Sequence, residues 1–199
     1  MRKRRGYVLR LPPGVGAEEV ARLVERRRRR RRVGPVVVRR GELRIPEGAE
    51  MLARGLAHRL GGEWEIPPPA PGEDDETLHD LIRLVVPRKL LPAELAIVLR
   101  PLLPGVAIRE DERLGLFWFV DEDSELTVSA WTLNVTVPKR LMPDVPDLYE
   151  MGIDDVHGPT PETAAEAFRI AELVERELGG VAIDRFGFRV TEARDLMPR

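Results

Sequence analysis

The stretch "VVVRRGELRIP", residues 36–46, decides how the first half of the chain folds. Two short apolar runs flank a glycine, a residue free to adopt the backbone angles of a tight turn. The pattern predicts a hairpin turning near Gly41. Upstream, "YVLRL" (7–11) is a short strand, and "GAEEVARLVE" (16–25) sets Val20, Leu23 and Val24 on one helical face. Downstream, "GAEMLARGLAHRLGG" (48–62) spaces Ala49, Leu52, Ala53, Leu56 and Leu60 for a second helix, with Gly61 as its stop. "EWEI" (63–66) then alternates as a strand does.

The predicted order is βαββαβ, the ferredoxin-like pattern, in which helices pack on one face of an antiparallel sheet. The second half predicts a similar order with longer connections. "LIRLVVP" (81–87) is a strand, and "LPAELAIVLRPLLPG" (91–105) a helix ended by Pro101 and Pro104. "VAIRE" (106–110), "LGLFWFV" (114–120) and "LTVSAWTLNVTVP" (126–138) are strands, the last with Trp131, Leu133, Val135 and Val137 on one face. In "TPETAAEAFRIAELVERELGG" (160–180), Thr160 suits a cap, Pro161 the first turn and Gly179 the end. Its predicted buried stripe is Ala164, Ala167, Phe168, Ala171, Val174 and Leu178. "VAIDRFGFRV" (181–190) closes as a strand or hairpin. Two helix ends align, "LARGLAHRLGGEWEI" with "IAELVERELGGVAID", as a duplication would leave them. The fold class is therefore α+β: two tandem βαββαβ modules, separate or joined in one continuous sheet.

Between them, "PPPAPGEDDE" (67–76) combines proline with an acidic run and predicts a linker. The predicted division is a basic module at 1–66, that linker, and an acidic module at 77–199 with a long loop at 138–160. Charge divides the same way. Residues 1–70 hold 18 Lys and Arg against 8 Asp and Glu, and residues 71–199 hold 14 against 26. The overall balance of −2 conceals two oppositely charged halves.

Composition narrows the chemistry. With no cysteine, disulfides, thiolate zinc sites and cysteine nucleophiles are excluded. No apolar run approaches the ~20 residues a spanning helix needs. "MRKRR" leads into a segment too broken for a signal peptide. A cytoplasmic bacterial protein without membrane attachment is expected. The only serines, Ser124 and Ser129, fall in a predicted turn and strand, which supplies a nucleophilic triad poorly. "PPGVGAEEV" has Glu19 where a dinucleotide fingerprint requires its third glycine, and Glu18 and Glu19 would repel a phosphate. "DEDSEL" (121–126) lacks the glycine and distal glutamate of a calcium loop. The Phe117, Trp118 and Phe119 run lacks the spacing of RNA-recognition strands and suits sheet packing.

Three sets of residues remain. The first is the arginine run Arg26, Arg27, Arg28, Arg29, Arg30, Arg31 and Arg32, with Arg39 and Arg40 beyond it. Arginine suits phosphate, but successive residues turn by about 100° around a helix, so two or three at most share one phosphate track. With 29 Arg against 3 Lys in the chain, the run also fits a general arginine preference. The second is the predicted loop "KRLMPDVPDLYEMGIDDVHGPTPE" (139–162), whose Met142, Leu148, Tyr149, Met151 and Ile153 suit protein contact or the covering of their own module's edge. The third is Asp154, Asp155 and His157, near enough in sequence to supply metal ligands but without HExxH or a repeated histidine spacing.

No cofactor is expected. The favoured function is a non-catalytic protein that binds another protein, as a regulator, inhibitor or immunity-type factor. Nucleic-acid binding through the basic half is the alternative, and a metal-dependent enzyme the third class. A second copy of the chain is a further candidate partner.

Overall fold

The computed structural model describes residues 6–26, 36–46, 48–65, 80–89, 91–131, 147–155 and 157–199. It is a mixed α+β protein with four helices and two antiparallel sheets among those residues. The chain divides into two compact units. The predicted linker lies outside the described residues.

The first unit contains β1 (Gly6–Arg10), α1 (Ala17–Arg26), β2 (Val37–Arg39), β3 (Glu42–Pro46), α2 (Glu50–Leu60) and β4 (Glu63–Glu65). Its sheet runs β2-β3-β1-β4, with every neighbouring pair antiparallel. The hairpin at Gly41 forms as predicted. Arg39 is opposite Glu42, and Arg40 and Gly41 both take positive φ, 49° and 76°, the geometry that matches the twist of two tightly joined strands. Leu9, Leu43 and Ile45 meet Val20, Leu52, Ala53, Leu56 and Leu60 in one core. Ala49, predicted within α2, precedes its first residue and is half-buried. Phe186–Phe188 and Met197–Arg199 also belong to this unit, a contribution that the linear division into modules missed. Phe186 and Phe188 are core residues of this cluster. Arg199 donates its backbone N–H to the His58 carbonyl, at 3.1 Å.

The second unit contains β5 (Asp80–Val86), α3 (Pro92–Leu99), β6 (Ala107–Asp111), β7 (Leu116–Val120), β8 (Leu126–Trp131), β9 (Tyr149–Asp155), α4 (Pro161–Leu178), β10 (Val181–Asp184) and a 3₁₀ turn at Ala193–Leu196. Its six-stranded sheet runs β10-β5-β9-β8-β7-β6. The end of the chain turns back as a hairpin, with Ile183 bridged to Arg189.

Strand β9 corrects the predicted long loop. Residues 149–155 are an inner strand, paired with β5 on one side and β8 on the other. Gly152 and the three acids Glu150, Asp154 and Asp155 lower the strand signal, yet Met151 and Ile153 alternate as strand residues do and are fully buried. Strand β8 is described as far as Trp131, and Leu133, Val135 and Val137 lie outside the described residues.

Cross-strand register sorts the sheet into faces. Ile82, Ile153, Val128 and Phe119 lie side by side across β5, β9, β8 and β7, all at 0 % exposure. Each such side chain contributes about 1.5–3 kcal/mol of burial free energy. Helix α4 supplies buried Ala164, Ala167, Ala171, Val174 and Leu178, while Phe168 of its predicted stripe is half-buried. Its ends are fixed locally. The Thr160 hydroxyl accepts the Thr163 N–H at 3.1 Å, Thr163 reciprocates at 2.9 Å, and Gly179 ends the helix in left-handed geometry.

Candidate functional site

The site lies at the β6 edge of the six-stranded sheet. The apolar row that is fully buried over four strands ends there, because Ile108 is opposite Phe119 in register yet is 43 % exposed. Among the described residues no further strand lies beyond β6, and Ala107, Ile108, Arg109 and Glu110 are all exposed.

Helix α3 flanks this edge. Pro92 opens it from Leu91, and Leu95, Ala96 and Leu99 are its buried side. Seven of its eight residues, PAELAIVL, carry no charge, so its outer side is apolar as well. Ile97 is 67 % exposed and Leu91 48 %. In the β6–β7 turn, Leu114 is 47 % exposed. Of the five exposed large apolar side chains among the described residues, four therefore fall between positions 91 and 114. Scattered apolar residues are ordinary on a surface, and here most of the large ones come from one stretch of the chain.

Two aspartates hold the edge strand at its ends. Asp121, 3 % exposed, accepts the Gly105 N–H at 2.8 Å and the Asp123 N–H at 3.1 Å. It thereby ties the α3–β6 connection to the β7–β8 turn. At the other end Asp111 accepts the N–H groups of Arg113 and Leu114, at 3.0 and 3.1 Å. A depression of about 230 Å³ lies beside β6, lined by Gly105, Ala107, Arg109, Val120 and the Asp121–Asp123 turn. The surface offers a strand edge, apolar side chains and a surplus of carboxylates. This equipment suits recognition.

The residues singled out in the sequence lie elsewhere. Leu148, Met151 and Ile153 are buried at 3 %, 0 % and 0 %, and Tyr149 is half-buried. Met151 and Ile153, predicted as loop residues for protein contact, are core residues here, because alternation in an inner strand turns them inward. Met142 lies outside the described residues, as do Arg27–Arg32. Arg26 is the last described residue of α1, Arg39 belongs to β2, and Arg40 is exposed in the hairpin turn.

Asp154 and Asp155 are consecutive in β9 and so point to opposite faces of the sheet. Asp154 is opposite Thr127, and Ser129 donates its hydroxyl to Asp154 at 3.4 Å. Asp155, opposite Leu126, is 2 % exposed and accepts the His157 N–H at 2.9 Å, while the His157 residue is exposed. The three side chains do not converge. Among the described residues no group of three histidine or carboxylate side chains is placed to hold a metal. No helix among them is long and apolar enough to cross a membrane.

One signal for the site was present in the sequence. The helix "PAELAIVL" has apolar residues on every side, more than one buried face can use.

The architecture defines a mixed α+β protein with a flanked strand edge. Compared with protein-family models, curated proteins and solved structures, the chain matches none.

Proposed function

We propose that the protein is a non-catalytic binding protein of the cytoplasm that recognises another protein through α3 and the β6 edge. The observation that carries this reading is the concentration of Leu91, Ile97, Ile108 and Leu114 around the strand that ends the sheet among the described residues. Burying these side chains against a partner would complete the apolar row that the sheet leaves open.

The strand orders support a finer reading. The first sheet runs β2-β3-β1-β4, and within the second β8-β9-β5-β10 follows the same plan. Taken as two ferredoxin-like modules, the halves differ by the hairpin β6–β7, inserted between α3 and β8. The added hairpin supplies the candidate docking edge.

The test is photo-crosslinking of the full chain in lysate, from position 97 and from position 108, with and without nuclease. Protein adducts at both positions that survive nuclease are expected, with none from exposed Arg44 on the other sheet. Adducts lost on nuclease treatment would make the bound material nucleic acid and overturn the protein-binding reading. Equal capture from Arg44 would remove the site altogether.

A further inference from the structure

We infer that the partner's contacting element is a basic extended segment, added to β6 as a seventh strand of the sheet. The inference rests on the docking reading above and names its partner's chemistry. A strand that ends a sheet has N–H and C=O groups along its outer side without strand partners, and an incoming extended chain can pair with them. Asp121 and Asp111 anchor the turns at the two ends of β6, which lowers the ordering cost when a partner pairs with it.

Charge selects the incoming segment. Glu110, Asp111 and Glu112 follow one another at the end of the strand, and Glu122 and Asp123 occupy the adjoining turn, against Arg109 and Arg113. Ile108 and Glu110 share one face of the sheet with their partners Phe119 and Phe117. A complementary strand therefore carries an apolar residue opposite Ile108 and a basic residue two positions away, opposite Glu110. A second copy is the competing occupant. Symmetric antiparallel pairing centred on Arg109, Glu110 or Asp111 would set like charges directly opposite each other, which is destabilising, whereas pairing centred on Ile108 would not.

The probes are a short peptide of alternating valine and lysine, its valine–glutamate counterpart, and the lysine peptide with its valines replaced by proline. With the full chain, the lysine peptide should bind at low salt and slow hydrogen exchange of the β6 amides. Glu110→Lys combined with Glu112→Lys should weaken that binding about ten-fold or more, as loss of close charge complementarity does. The proline peptide should not bind, because it cannot supply the ladder.

Equal binding of the proline peptide would overturn strand addition, and equal binding of the glutamate peptide would overturn the charge selection. A concentration-dependent dimer abolished by Ile108→Asp would make the occupant a second copy and overturn the inference. In each of these cases crosslinks from positions 97 and 108 to protein persist. Loss of those crosslinks instead removes the docking reading itself.

Discussion

Glycine 55 illustrates how much a single position can carry. It is buried in the middle of α2, and a Cβ there would fall on the Phe188 ring and against the Phe186 Cβ. Helix propensity alone favours alanine by ~1 kcal/mol. The contact reverses that preference. Gly55→Ala should destabilise the protein by about 1–3 kcal/mol through overpacking, read as a lowered denaturation midpoint with an unchanged slope. A stabilised variant would mean that the two phenylalanines do not pack against this helix. Nothing near Gly55 in sequence reveals its role, because the atoms that forbid a side chain arrive from more than a hundred residues away.

Strands and helices differ in how legibly they are written. Helix α4 was readable in full, since Thr160, Pro161, Gly179 and the apolar stripe act within the helix itself. Strand β9 was not, because its stability comes from two neighbours and its own residues include Gly152 and three acids. Strand β6 was readable as a strand but not as an edge, and position in a sheet is what exposes Ile108.

Asp121 is the element-scale test of the site. Asp121→Ala removes two hydrogen bonds to a buried carboxylate and should cost about 1–3 kcal/mol. The Gly105 amide should also lose its protection from hydrogen exchange. Unchanged protection at Gly105 would show that the α3–β6 connection is held by something else.

At the scale of the molecule, the division into units does not follow the linear sequence. The core of the first unit includes Phe186 and Phe188 as well as residues from Leu9 to Leu60. A fragment of residues 1–75 lacks both rings, and losing one buried phenylalanine typically costs about 3–5 kcal/mol. Such a loss rivals the whole stability of a small domain. The fragment should therefore melt without a cooperative transition and bind a hydrophobic dye. Sharp two-state unfolding of residues 1–75 would show that the first unit is self-sufficient.

The sequence by itself determined the α+β class, most of the helices and strands, the Gly41 hairpin and the opposed charge of the two halves, because these depend on local periodicity, capping and residue counts. It drew 138–160 as a loop and placed the binding surface there. Only the tertiary structure turned Met151 and Ile153 into core, sent Asp154 and Asp155 to opposite faces and left β6 at the margin. Strand pairing made those choices, since which residues a strand exposes depends on neighbours distant in the chain.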